Sequence, residues 1–435
     1  MENLKKSELF NMLCAAVMNS TLACLMAFVT HPVAAQQQLK PWKTGYLDIH
    51  QIATGRGNAA FAMLPDGTTM LIDAGDLGKR VGRNGTIMPA LPNDQKLPAE
   101  WISRYIKHFN KSSKNKHVDY VLLTHFHNDH MGGVSEKALK VPGRKYLLSG
   151  ITQLAELTSI KRIIDRGYPE YSYPSKVAVE KTTTDFGNYL RFIDHQKSHR
   201  KIIFERFIPG SNTQFQLQYA PKKYSEFSIR NIYSNGELWT GIADNSRSIF
   251  PKIEELDEAD FPNENMLSNV IKLSYGKFSY YSGGDVTGVI SSGKPMWRDV
   301  ESQLASVVGK IDVAVLNHHG YTDAMNSTFV KALHASAFVI PVWDFYHPQP
   351  ETLGRLIDSS IYSQIPDIYA TGLVASNRER LGDAAKHIKT PGHVVVRVYP
   401  GGNTYQIFVL EAHSEQYEVL YESKMYQSNS VQNET

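Results

Sequence analysis

Cysteine is nearly absent: the 435 residues contain two, Cys14 and Cys24. Both fall in an N-terminal stretch that reads as a secretory signal. From residue 36 onward, therefore, no thiolate can serve as nucleophile or metal ligand, and no disulfide can staple the fold. Long apolar runs are also scarce. None after residue 35 approaches the length of a membrane span, which argues against a channel or transporter built from that part of the chain. Nor does one sign of charge dominate. The formal net charge is +3, and no dense basic stripe interleaves with aromatics as a nucleic-acid groove requires. The short basic clusters "HQKSHRK" (His195–Lys201) and "KNKH" (Lys114–His117) suit solvated helix faces. Core-forming material is plentiful, at 42% hydrophobic residues, which is enough for one large globular domain.

The signal reading rests on position. Lys5 and Lys6 precede an apolar stretch from Met12 to Val29, interrupted by Asn19, Ser20 and Thr21, and Val33 and Ala35 stand where a signal peptidase would cut. Residues 1–35 are expected to be a signal peptide of a periplasmic or secreted protein. Residues 36–422 are then the folded domain, and 423–435 a polar, frayed tail. The competing reading is an uncleaved membrane anchor.

Several β-branched runs end abruptly in polar clusters: "TTMLIDAGD" (Thr68–Asp76), "VDYVLLTHFHNDH" (Val118–His130), "KFSYYSGGD" (Lys277–Asp285) and "IDVAVLNHHG" (Ile311–Gly320). Runs such as "YVLL" and "VAVL" are apolar on both faces, which fits interior strands of covered sheets. Between them, "LPAEWISRYIKHF" carries apolar residues at three-to-four spacing behind Pro98, and "SQLASVVG" and "STFVKALHAS" behave similarly, with Ser327 as a candidate N-cap. Strands alternating with helices predict an α/β or layered α+β class. The stretch from about 141 to 261 is less regular and reads as an insertion, in which the tyrosine-rich "RGYPEYSYPSK" could wall a pocket.

The densest cluster of potential ligands is "THFHNDH". His125 and His127 are two apart at a strand end, so in extended backbone they point the same way. Asp129 and His130 follow where the chain turns, and Gly132 and Gly133 permit a tight return. Imidazoles and carboxylates are ligands for zinc and related divalent metals. Four of them within six positions exceed what one ion needs, and Asp73, Asp285 and the His318/His319 pair end other strands.

These residues resemble the metallo-β-lactamase fold superfamily, whose His-x-His-x-Asp-His signature reads here as His125, His127, Asp129 and His130. Within it the chain is similar to the hydrolase domain of the ComEC competence-protein family, through "LDIHQIATGRGNAAFAMLPDGTTMLIDAG", "YYSGGD", "NHHG" and "YHPQPETLGRL". The resemblance implies an α+β fold, a four-layer αββα sandwich with two mixed sheets. It also implies two divalent ions, zinc foremost. His125 and His127 would bind the first and Asp129 and His130 the second, with Asp285 bridging and either His318 or His319 completing the second site. Asp73 would brace the ligating histidines.

Two departures stand out. The third histidine that many relatives place at the first site, about twenty residues before the bridging aspartate, is missing: the segment reads "ENMLSN". Asn265, with Glu264, is expected there, and His195 or His199 is a weaker candidate. A first site short of imidazole would hold its ion loosely and accept manganese or magnesium. Asn58, in "GRGNAA", replaces the family's usual aspartate; it reads either as a lost charge or as part of a turn in which Gly55 and Gly57 take positive φ. The expected activity is hydrolysis by metal-activated water, most readily of phosphodiesters, as in a nuclease or phosphodiesterase. Asp129, His347 and the non-ligating member of the His318/His319 pair, His319 among the catalytic candidates, would deliver a proton to the leaving group. The alternatives are a small-molecule ester, lactone or β-lactam hydrolase, and an exported binding protein whose catalysis is impaired.

Overall fold

Period-two alternation builds the layers. In the strand Val118–Leu122, Tyr120 and Leu122 face one way and Val121 the other; in Val313–Val315 the two valines and Ala314 divide likewise. A computed structural model describes residues 37–78, 88–112, 116–136, 138–175, 184–199 and 201–428. The predicted signal, 1–35, lies outside them. Described residues from Leu39 onward belong to one compact unit.

One sheet runs Val419–Glu422, Thr404–Leu410, His393–Val398, Leu47–Gln51, Ala60–Met63, Thr69–Ile72, Val118–Leu122, Ile160–Asp165 and Ile203–Arg206, with Tyr426–Gln427 also paired to Thr404–Leu410. The other runs Ser246–Ser248, Glu237–Trp239, Phe227–Ser234, Val270–Tyr275, Phe278–Ser282, Val313–Val315, Ala337–Ile340 and Asp367–Ala370. Each is mixed, antiparallel at one end and parallel at the other: Thr69–Ile72 pairs parallel with Val118–Leu122, and Phe278–Ser282 parallel with Val313–Val315.

Three apolar layers hold the stack. Tyr120, Leu122, Ile271, Leu273, Val313 and Val315 fill the space between the sheets. Outside the first sheet, Val121 and Ile163 meet the helices Pro98–Phe109, Gly150–Leu157 and Thr184–His199 through Ile102, Leu154 and Phe192. Outside the second, Ala314 and Phe338 meet Val300–Val308, Ser327–Leu333 and Pro350–Leu356 through Leu304, Phe329 and Leu353. Helix, sheet, sheet, helix is the four-layer αββα sandwich that the resemblance implies. Among the described residues no helix is long and apolar enough to cross a membrane.

Pro98–Phe109 starts as its sequence predicts, with Pro98 in the first turn and Glu100 accepting the Leu97 N–H. Three local expectations change. The N-cap of Ser327–Leu333 is Asn326, whose side chain accepts from Phe329 N at 2.8 Å, so Ser327 is the first helical residue. The stretch 141–261 is more regular than expected: it supplies two strands of the first sheet and three of the second. Its alternation was obscured by the turns between short strands. The tail is ordered through residue 428, because Tyr426 stacks on Tyr405 at 4.8 Å and hydrogen-bonds Tyr369; residues 429–435 lie outside the described part.

Candidate metal centre

Five strand ends deliver the site. Asp73 follows Thr69–Ile72, and Thr124 to His130 follow the neighbouring parallel strand Val118–Leu122. In the other sheet, Asp285 follows Phe278–Ser282, His318 and His319 follow Val313–Val315, and His347 follows Ala337–Ile340, again parallel neighbours. Carboxyl ends of parallel strands gather their loops on one edge, where ligands bind in α/β sheets. Gly75 permits the close approach of the first two loops, since a side chain there would strike the Asp129 carbonyl.

The ligand-type atoms form two groups that share one residue. Asp129, His130, Asp285 and His319 make one, all buried; His125, His127 and Asp285 make the other, with His127 half-buried. Asp285 divides its oxygens between them. Oδ1 lies 3.1 Å from His130 Nε2 and 3.5 Å from His319 Nε2, while Oδ2 lies 3.7 Å from His125 Nε2. Asp129 Oδ2 is 3.2 Å from His319 Nε2, and His125 Nε2 is 3.0 Å from His127 Nδ1.

Outer hydrogen bonds fix which nitrogens face inward. His130 Nδ1 donates to Asp73 Oδ2 at 2.7 Å, and His319 Nδ1 donates to the Pro341 carbonyl at 3.0 Å. In their neutral forms both imidazoles then turn bare Nε2 lone pairs toward two carboxylates. Asp285 Oδ1 is buried with no hydrogen bond of good geometry. Such a crowd of lone pairs needs a positive charge at its centre. The cluster is thus suited to holding metal ions. Among the side chains themselves, burial opposes the Asp285 carboxylate, but His130, His319 and His125 outweigh it and hold its pKa well below the usual range. Burial likewise opposes protonation of His130, yet Asp285 and Asp73 raise its pKa well above the ordinary imidazole value. Burial, followed by His130, keeps His125 well below it.

Asp73 is tightly held. It accepts from Thr124 N at 2.8 Å, Thr124 Oγ1 at 2.9 Å and Asn58 Nδ2 at 2.8 Å, and Asn58 in turn accepts from Gln51 Nε2. Asn58 therefore donates to Asp73, where an aspartate would set carboxylate against carboxylate. Gly55 and Gly57 take positive φ as expected, as do Asp73, His318 and His319. Left-handed backbone costs a non-glycine residue about 1–2 kcal/mol. The two histidines are kept there by His318 N on the Gly284 carbonyl and by Asn317, which donates to buried Glu301 and accepts from Tyr281.

Of the histidine pair, His319 joins the buried group. His318 instead donates from Nδ1 to Asp323 at 2.6 Å, with Nε2 3.9 Å from Asp285 Oδ2 and 3.3 Å from Asn265 Nδ2. Burial works against its charge, but Asp323 and Asp285 raise its pKa overall. His347 is buried and stacked on His319 at 4.8 Å; burial, then His319 and His318, hold it well below the imidazole range. Glu264 joins neither group: its oxygens accept from Arg166, and Oε1 also accepts from Phe126 N. His195 and His199 pack against each other along Thr184–His199 and join neither group. Tyr171 of the tyrosine-rich segment turns inward to donate to Asp165 at 2.6 Å, bracing the core.

A sequence profile of the metallo-beta-lactamase superfamily matches residues 89–146, which include the whole histidine signature. The match covers the segment that carries the histidine signature and less than half of the chain. No curated protein matches the chain. Similar solved structures include hydrolase AbOPH of the beta lactamase superfamily, at 16% identity over 53% of this chain and 56% of that one, TM-score 0.24. Human tRNase Z, short form, matches at 9% identity over 67% and 91%, TM-score 0.30. A metallo beta lactamase from Hirschia baltica matches at 11% identity over 81% and 98%, TM-score 0.21.

Proposed function

We propose that the chain is an exported, metal-dependent phosphodiesterase that acts on nucleotides or nucleic acid. The observation that carries the reading is Asp285, whose two oxygens each face a separate group of ligand-type atoms. Asp129, His130, His319 and Asp285 would hold one ion, and His125, His127 and Asp285 the other. Imidazole-rich sets favour zinc, with manganese or magnesium acceptable at the poorer set. Bound there, the ions would acidify a water and neutralise charge on the reacting oxygens. His318, oriented by the Asp323 carboxylate on Nδ1 and with Nε2 beside the centre, would pass a proton to the leaving oxygen. Two bound cations would favour an anionic substrate over a neutral ester, lactone or β-lactam. The resemblance to the ComEC hydrolase domain supports the same class.

The test is hydrolysis of bis(p-nitrophenyl) phosphate by protein stripped of metal and reloaded with zinc or manganese, beside a lactone and a β-lactam. Metal-restored turnover of the phosphodiester alone is expected. Turnover of a neutral substrate alone would overturn the substrate class, and metal uptake without any turnover would favour a binding protein.

A further inference from the structure

Behind the His125/His127 group lies a buried ion pair that belongs to neither group of ligand-type atoms. Arg166 and Glu264 have side chains 1% and 3% exposed. Glu264 accepts from Arg166 Nε at 2.8 Å and also from Nη2, and its Oε1 accepts the Phe126 N–H at 2.8 Å. That N–H belongs to the residue between the two histidines. The guanidinium also covers the Phe126 ring, 4.5 Å from its centroid. Its remaining donors reach the Tyr173 carbonyl at 3.3 Å and Asn235 Oδ1 at 3.1 Å, and Asn235 donates back to the Arg166 carbonyl at 2.7 Å.

We propose that Arg166 and Glu264 are the positioning residues of the His125/His127 half of the centre, fixing its geometry in place of a third histidine. The proposal rests on the metal-site reading above. A buried ion pair is weak evidence for stability, because desolvation offsets its attraction; its contacts here give it a geometric task instead. Phe126 is held by its amide and by its ring, which sets the backbone that aims both imidazoles. Glu264 also directly precedes Asn265, whose Oδ1 is buried without a hydrogen-bond partner and whose Nδ2 lies beside His318. The same segment is stitched to the histidine strand a second time, by Asn269 N on the Thr124 carbonyl and Asn269 Nδ2 on the Leu123 carbonyl, each at 2.8 Å. One pair thereby sets the histidines and the asparagine against each other. His130 and His319 are braced instead by Asp73 and Pro341.

The experiment is calorimetric titration of the metal-free chain with zinc, in wild type and two double variants. Arg166→Met with Glu264→Leu removes both charges and the Phe126 tie without stranding a buried charge. Arg166→Met with Glu264→Gln also removes both charges but keeps an oxygen for Phe126 N–H. Wild type should show two classes of site. In the Met/Leu variant the weaker class should lose about 10–100-fold in affinity while the tighter class is unchanged, and the Met/Gln variant should recover most of the loss. Near-ultraviolet circular dichroism checks the fold. A folded Met/Leu variant that binds both ions as wild type does, or that loses both classes equally, overturns the proposal alone. Wild type that binds no second ion overturns the metal-site reading and the proposal with it.

Discussion

The two halves of the centre are built to different standards. The half around His130 and His319 has four ligand-type residues, all buried, with each outward ring nitrogen tied to Asp73 or the Pro341 carbonyl. The half around His125 and His127 has three, one of them half-buried, and its histidines hydrogen-bond each other. More ligands and fixed tautomers mean tighter binding, so the first half should keep its ion where the second exchanges. Asp285 belongs to both, so a change there strikes both.

The largest effect should therefore come from Asp285→Ala, with loss of both ions and a fall in phosphodiester turnover of at least about 10³-fold. Retention of one tightly bound ion would show that the halves are independent. Next comes His318→Gln: metal content should stay at the wild-type level while kcat drops about 100-fold. A smaller loss for substrates with good leaving groups would identify the proton donor. Asp73→Asn turns an amide N–H toward His130 Nδ1 and forces the ring to carry its proton inward. Affinity at the tighter half should fall about 10–100-fold, with the looser half spared, as read by chelator competition.

A further probe is pH. Burial, only partly offset by Asn317 and the Asn326 and Met325 amides, pushes the Glu301 carboxyl from 4.5 up to about 7. Because the folded-state value lies above the unfolded one, ionisation works against folding. The contribution is neutral below about 4.5 and fully unfavourable above about 7, so stability should decline by about 3 kcal/mol as pH rises through that window. Denaturant titrations across it should lose that slope in Glu301→Gln. Least of all, His195→Ala should leave turnover and metal affinity within about twofold. Damage comparable to Asp285→Ala would contradict the placement of the looser half.

Much of this was legible in the sequence, because apolar runs ending in polar clusters mark strand ends directly. The strands that deliver Asp73, His125, Asp285 and His319 lie where those runs predict. The choice between His318 and His319 was not legible: it depends on a left-handed turn and on the distant Asp323 and Pro341. Glu301 and Arg166 were missed because a glutamate in the first turn of a helix and an arginine after a strand ordinarily face solvent. The turn at 264–269 showed only that a histidine was missing, not that an ion pair fills the space behind it. The strands between 141 and 261 were hidden by their shortness and by the tyrosines that pack inward.

The most direct test is metal stoichiometry by native mass spectrometry during stepwise chelation. Two ions per chain, released one well before the other in wild type and both absent in Asp285→Ala, is the predicted result. A single ion that survives Asp285→Ala would contradict a shared, bridging aspartate and the two-ion centre built on it.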